Sequence, residues 1–314
     1  MRDWRRYGLA RRFNDLFCHE EWNIGIVHAP IHAFLEPEMK LEIQWFPRLE
    51  RGRFLADPFG IVRDGTVFVI CEEFDYRSEK GVVSCIDSSS QALSPRVIID
   101  LPVHASYPYT FEHQGEIYCI PETYQAREVM LYKADKFPYT WVKKATLIDG
   151  VPAVDNTVFH FGDRWWLMCT DQDEGPFDRL FVWHAPDLFG PWKPHAANPV
   201  KVDLRSTRPA GTPFVHRGHL YRPAQDCLRT YGGRVVINRI LRLTPTEFEE
   251  EPAAFIEPSR STPYSDGLHT VSAVGEVTLV DGKRFTFVRS AFARAARRER
   301  NRLVGSVSGL LRED

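Results

Sequence analysis

Asp155-Asn156-Thr157-Val158-Phe159-His160-Phe161-Gly162-Asp163-Arg164-Trp165-Trp166-Leu167-Met168-Cys169-Thr170-Asp171 is an apolar run entered by a polar residue, then a turn, then an aromatic run closing on a carboxylate. The same figure stands upstream as Ala56-Asp57-Pro58-Phe59-Gly60-Ile61-Val62, turn Arg63-Asp64-Gly65, and Val67-Phe68-Val69-Ile70-Cys71-Glu72-Glu73. It returns as Tyr107-Pro108-Tyr109-Thr110-Phe111, turn His113-Gln114-Gly115, and Ile117-Tyr118-Cys119-Ile120-Pro121-Glu122. A fourth copy reads Thr212-Pro213-Phe214-Val215, turn Arg217-Gly218, and Leu220-Tyr221-Arg222-Pro223-Ala224-Gln225-Asp226. The fifth and weakest is His269-Thr270-Val271-Ser272, with Asp281-Gly282 as later turn residues. Counted from Asp57, the units begin 50, 48, 57 and 57 residues apart, and each is a hairpin by its turn chemistry. Third strands echo one another too: Leu131-Tyr132-Lys133-Ala134-Asp135 against Val182-Trp183-His184-Ala185-Pro186-Asp187. Three or four strands per ~50 residues, five times over, predict an all-β fold, a five-bladed β-propeller.

Working outward, the repeat sets a propeller over residues 21–288, a basic helical extension over 1–20 and a basic helical tail over 289–314. Forty basic against 42 acidic residues leave a net charge of −2, too little field to draw nucleic acid. No apolar run reaches the ~18 residues of a membrane span, and no signal-peptide core stands behind the N-terminal basic residues. A cytoplasmic protein is expected. The six cysteines lack metal spacing, and Cys71, Cys119 and Cys169 sit in strand-like runs as small apolar residues. His28, His32, His104 and His113 have no zinc-ligand spacing either, so no metal is expected among them. Phosphate-loop motifs are absent. The helices read over 2–17 and 289–304 fit two roles: packing on the domain or a second copy of the chain, or lying on the anionic inner face of a membrane.

In a propeller the opening of each innermost strand and the close of the next converge at one mouth of the central channel. The openings hold Asp57, Tyr107, Asp155 and His269; the closings hold Glu72/Glu73, Glu122, Asp171 and Gln225/Asp226. Carboxylates crowded together raise one another's pKa, which supplies an acid and a base from one residue type. Asp57, Asp155, Glu122 and Glu73 are therefore the candidate catalytic residues. Tyr107, Arg208, Asp226, His269 and His113 are candidates for holding substrate, with Tyr107 as a ring on which a sugar could stack.

Leu55-Ala56-Asp57-Pro58-Phe59 and Val154-Asp155-Asn156-Thr157-Val158-Phe159 resemble the blade openings of the five-bladed glycosidases of glycoside hydrolase family 43. That resemblance implies Asp57 as general base, Asp155 as pKa modulator and a Glu general acid opening blade four. Blade four instead opens Arg208-Pro209-Ala210-Gly211-Thr212-Pro213, and Glu174-Gly175-Pro176 falls in a loop of blade three. Tyr107-Pro108-Tyr109-Thr110-Phe111-Glu112-His113, Ile120-Pro121-Glu122-Thr123, Ala153-Val154-Asp155-Asn156-Thr157, Arg208-Pro209-Ala210-Gly211, Tyr221-Arg222-Pro223-Ala224-Gln225-Asp226 and Gly267-Leu268-His269-Thr270 together resemble the N-terminal domain of plant glucosamine inositolphosphorylceramide transferases. The two likenesses imply a carbohydrate-handling propeller with no cofactor, save a central structural cation near His269 that the family 43 likeness allows. Three readings stay open: glycosyl transfer from an activated donor in envelope polysaccharide assembly, hydrolysis with an acid drawn from Glu73, Glu122 or Glu174, and glycan binding without catalysis.

Overall fold

A computed structural model describes residues 17–36, 42–90 and 94–288. The helical readings over 2–16 and 289–304 lie outside them. The chain divides into two units, Trp22–Lys283 and Met1–Glu21 with Arg284–Asp314. Within the smaller unit, Arg284 donates to both Glu21 carboxylate oxygens (2.7 and 2.8 Å) and the Val288 N–H donates to the Phe17 carbonyl at 2.9 Å. Among the described residues no helix is long and apolar enough to cross a membrane.

The larger unit is a five-bladed β-propeller. Blade one is β3 (Arg53–Arg63), β4 (Thr66–Asp75), β5 (Lys80–Asp87) and β6 (Arg96–Ile99), paired in that order. Blade two is β7 (Ser106–His113), β8 (Glu116–Glu122), β9 (Glu128–Lys136) and β10 (Thr140–Asp149). Blade three is β11 (Ala153–Phe161), β12 (Arg164–Asp171), β13 (Arg179–Ala185) and β14 (Lys193–Pro194), with β15 (Lys201–Val202) also on β13. Blade four is β16 (Phe214–His216), β17 (His219–Asp226), β18 (Arg234–Leu243) and β19 (Phe248–Ile256). The last blade is a composite that closes the ring: β20 (Val271–Val274) and β21 (Val277–Phe287) are extended by β1 (Cys18–Val27) and then β2 (Gln44–Trp45). Strand β1 thus takes Cys18, His19 and Glu20 from the stretch expected to be helical.

The hairpin turns fall where Gly marks them. Asp64-Gly65, Gln114-Gly115 and Arg217-Gly218 all have positive φ, the twist a two-residue hairpin needs. The fifth turn corrects the reading: it is Gly275-Glu276, and Asp281-Gly282 lie inside β21, where Asp281 is fully buried. Apolar side chains fill each gap between neighbouring blades, as in the Ile70, Val83, Cys119 and Met130 cluster between blades one and two. Trp165 joins the core between blades two and three, while adjacent Trp166 joins that between three and four. Period-two alternation sends the two rings to opposite faces of β12.

Candidate functional site

Strands β3, β7 and β11 share one irregularity. Each slips register, between Ala56 and Phe59, Ser106 and Tyr109, and Val154 and Thr157. At each slip sits a non-glycine residue of positive φ: Asp57 (51°), Tyr107 (40°) and Asp155 (53°). Left-handed backbone costs an L-residue of this kind ~1–2 kcal/mol, and such strain concentrates where side chains must be aimed. These bulges aim the three side chains at the channel. Blade four contributes Gly211 (φ 125°) instead, and an added Cβ would lie 1.9 Å from the Val271 carbonyl oxygen.

The side chains interlock. Asp57 accepts from the Thr270 hydroxyl at 2.9 Å and from the Tyr107 N–H at 3.2 Å, and its own N–H donates to Asp281 at 3.2 Å. His269 lies with Nδ1 2.5 Å from Asp281 and Nε2 3.6 Å from Asp57. Arg208 donates to Asp155 through Nε at 2.5 Å and Nη2 at 3.2 Å, and lies 4.0 Å from Glu122. Gln225 donates to Asp155 at 2.8 Å, and Glu122 accepts the Asp155 N–H at 2.9 Å. Aromatic rings cover the group: Trp22 stacks on His269 with centroids 3.8 Å apart, while Tyr231 and Phe177 lie 4.9 and 5.4 Å from the Arg208 guanidinium carbon.

Five buried carboxyl groups, Asp57, Glu72, Glu122, Asp155 and Asp281, therefore surround two cations, Arg208 and His269. Not all five can ionise cheaply. Burial, then the neighbouring Asp155 and Asp281 charges, push Asp57 up to about 6 against the pull of His269. Burial, with Asp57, Glu122, Asp155 and Asp281, holds Glu72 well above the usual carboxyl range, and burial with Asp155 does the same for Glu122. Burial opposes the charged forms of His269 and Arg208, but Asp281 and Asp57 raise the former and Asp155 the latter. Asp57, His269 and Asp281 also each offer a ligand atom within 4.8 Å of the others, a donor set that suits a divalent cation. His269 Nδ1 and Asp281 lie 2.5 Å apart, a close charge-assisted contact that a cation bound between them would have to open.

Of the residues singled out from the sequence, Asp57, Tyr107, Glu122, Asp155, Arg208 and His269 meet at this cluster. Tyr107 is fully buried, packs on Phe59, and receives the Gly211 N–H at 2.6 Å, so its ring is no platform for a sugar. Arg208 is spent on Asp155 rather than turned outward. Glu73 does not join: its carboxylate pairs with Arg53 and accepts from Ser84 at 2.7 Å. His113 sits at the far end of β7 beside Trp165, in a cavity of about 540 Å3 with Glu112, His160 and Asp187. Asp226 pairs with Arg234 at 2.9 Å and lines a different cavity, and Glu174 is exposed, 3.7 Å from Arg179.

Sequence reading names Glu72 only beside Glu73 at a strand closing and Asp281 only as a turn residue, and Trp22 and Tyr231 carry no signal in the repeat. Glu72 has a built surrounding. The Gly81 N–H donates to Nδ1 of His104 at 2.8 Å, leaving the proton on Nε2, which faces Glu72 Oε1 at 3.5 Å. Burial and Lys80 lower His104 to about 4, so the ring is neutral at neutral pH.

The five-bladed propeller that carries this cluster is a fold shared with glycoside hydrolases. The α-L-arabinofuranosidase of Podospora anserina, solved with cellotriose, superposes with a TM-score of 0.55 at 11% identity, covering 73% of this chain and 81% of that one. A family 117 glycoside hydrolase of Zobellia galactanivorans gives 0.51 at 14% identity, covering 85% and 91%. At such identities the likeness is one of fold. Sequence goes further: residues 49–266 match the family described as "Glucosamine inositolphosphorylceramide transferase 1, N-terminal", and the chain belongs to that family. It is 34% identical over 209 residues to the protein of that name from Oryza sativa subsp. japonica, covering 64% of this chain and 28% of the rice protein. With the Arabidopsis thaliana protein it shares 32% over 315 residues, covering 87% and 41%. The chain thus spans less than half the length of these relatives.

Proposed function

We propose that this propeller is a carbohydrate-active enzyme that transfers a sugar from an activated donor to a hydroxyl of a glycan or glycolipid, in envelope polysaccharide assembly on the cytoplasmic side of the membrane. The observation that carries the reading is Arg208. The family 43 resemblance implies a Glu general acid at the opening of blade four; that opening, Arg208-Pro209-Ala210-Gly211, holds no Glu, and its Arg208 is locked onto Asp155. A leaving alkoxide needs a proton; a leaving phosphate does not. Losing a positioned acid costs ~10²–10⁴-fold in ordinary hydrolysis, a loss that an activated donor avoids.

In this reading Asp57 is the base. At about 6 it is ionised at neutral pH yet basic enough to take the acceptor hydroxyl proton. The freed oxygen bonds to the anomeric carbon as the bond to the leaving phosphate breaks. His269, whose protonated form Asp281 favours, lies 3.6 Å from Asp57; Arg208 and Gln225 fix Asp155 beside it. Phe177 and Tyr231, half-buried over the cluster, are the faces available to a sugar ring. No cofactor is called for. The family name of the plant relatives, a transferase, supports the same class of chemistry.

Hydrolysis is the second reading, favoured by one observation: Glu72 and Glu122 both hold protons well above the usual range and could supply the acid. The test sets nucleotide-sugar donors with a phosphoinositol-lipid acceptor against aryl-glycosides. Transfer that vanishes in Asp57→Asn supports the proposal; aryl-glycoside cleavage abolished by the same substitution replaces it with hydrolysis.

A further inference from the structure

Away from the central cluster, at the ends of β17 and β18, a cavity of about 640 Å3 opens. Its floor is an ion-pair triad: Arg234 donates to Asp226 at 2.9 Å and to Glu257 at 2.5 Å, and its guanidinium carbon lies 4.6 Å from the centroid of Phe255. Around it stand Arg205 from the segment before blade four, Arg229 and Thr230 from the β17–β18 loop, and Arg260 with Ser265 and Asp266 from the β19–β20 connection. Four arginines thus meet three carboxylates, and two of those are already bonded to Arg234. Arg205 and Arg260 are exposed and make no ion pair among the described residues. Three separate chain segments bring these guanidiniums to one concavity, and none of them needs to move out of a core to receive a ligand.

The cavity is joined to the central cluster through side chains. Lys283 donates to the Thr230 hydroxyl at 3.2 Å and to the Tyr231 carbonyl; its ammonium lies 5.2 Å from the ring centroid of Trp22. Trp22 and Tyr231 both contact the His269 ring, with centroids 3.8 and 5.2 Å away. Thr230, which lines the cavity, is thus linked through Lys283 to the rings that cover the carboxylate cluster.

We infer that this cavity is a binding site for a phosphate or diphosphate group, held by Arg205 and Arg260 over the Arg234 floor. Guanidinium forks match phosphate oxygens in pairs, and the volume suits a group larger than one phosphate. Two sources carry that chemistry: the diphosphate of an activated sugar donor, and the phosphodiester headgroup of a lipid acceptor. The inference rests on the transfer reading for what the anion does there, but not for the binding itself.

Binding, not turnover, is accordingly the test. Pyrophosphate and uridine diphosphate are titrated calorimetrically into the full chain, and sedimentation is measured with phosphatidylcholine vesicles with and without phosphatidylinositol. The same measurements are made on Arg205→Gln/Arg260→Gln, both exposed positions, and on Asp57→Asn. Loss of two charge-assisted contacts should weaken binding at least about tenfold in the double variant and leave Asp57→Asn unchanged. A loss confined to the soluble probes assigns the site to the donor; one confined to the phosphatidylinositol vesicles assigns it to the acceptor headgroup. If neither probe binds the native chain, or the double variant binds both as well as it, the site does not exist. Retained binding by a chain without transferase activity would overturn the proposed reaction alone.

Discussion

The channel cluster and the arginine cavity treat charge in opposite ways. At the channel, carboxyls outnumber cations five to two, every member is buried, and Trp22, Phe177 and Tyr231 close over them. In the cavity arginines outnumber carboxylates four to three, and Arg205 and Arg260 face water. Burial makes the position of a proton the variable at the first site, because each additional charge there is costly. Exposure makes occupancy the variable at the second, since a solvated guanidinium stays charged whatever surrounds it. The proposed proton transfer falls on the acidic excess, and the proposed anion site on the basic one.

The sharpest break of that contrast is Asp57→Asn. Transfer should fall ~10²–10⁴-fold, as for loss of a positioned base, with pyrophosphate affinity at the cavity unchanged. Single-turnover transfer and calorimetry on one preparation check both halves. Should affinity fall along with rate, the two regions are one site.

Arg208→Met comes next. It removes the only cation bonded to Asp155 among the described residues and leaves that carboxylate, with Glu122, buried and unbalanced. Breaking such a buried pair costs about 3–5 kcal/mol, read as a lower urea midpoint. Arg260→Gln, in the open cavity, should stay within about 0.5 kcal/mol of the native chain. Equal midpoints for the two variants would mean that Arg208 does not hold the cluster together.

Much of this is legible in the sequence, and the reasons differ by residue. Asp57, Tyr107 and Asp155 stand out because a propeller repeats its geometry with its sequence, so one bulge recurs at one place in three blades. Glu72 and Glu73 stand side by side at the close of β4, and the ion pair that takes Glu73 out of the cluster reaches back 20 residues to Arg53, where no repeat signal points. Only the side-chain partners, Arg53 and Ser84 for Glu73 and His104 for Glu72, tell the two carboxyls apart. Asp281 reads as a turn residue because Asp-Gly is turn chemistry; the fifth blade is assembled from both ends of the chain, so neighbours do not frame its hairpin. The Arg208–Asp155 pairing joins residues 53 apart, and no periodic signal reports such a contact. Trp22 precedes the repeat altogether, and only ring closure carries it over His269.

A smaller effect should come from Gly81→Ala. A Cβ there would lie 2.4 Å from Glu72 Oε1 and 2.7 Å from the Ala105 carbonyl oxygen. Backbone cannot yield as a side chain does, so overpacking of about 1–3 kcal/mol is expected, seen as a lower Tm. A glycine substituted in the open β3–β4 turn, Gly65→Asn, meets nothing within 4 Å and should cost far less. Similar costs for both would mean that the close approach of Glu72 and the Ala105 carbonyl to Gly81 does not require a glycine there.

The finest test concerns the proton on Glu72. Its folded pKa stands above its ordinary value of 4.5, so the native state binds that proton more tightly than the unfolded chain does. Its contribution to stability is then fully present below about 4.5 and is lost as pH rises through the folded value. Asp57 acts in the same direction between 3.8 and about 6. Other groups oppose the trend, His104 among them, so the whole-protein curve does not isolate Glu72. Glu72→Gln does, because glutamine has no proton to lose and nearly the same shape. Near pH 4.5 the Tm values of variant and native chain should lie close together; towards pH 8 the variant should gain steadily on the native chain. A difference constant across that range would show Glu72 to be an ordinary ionised carboxylate, and the cluster would then lose the proton-holding group that separates it from the arginine cavity.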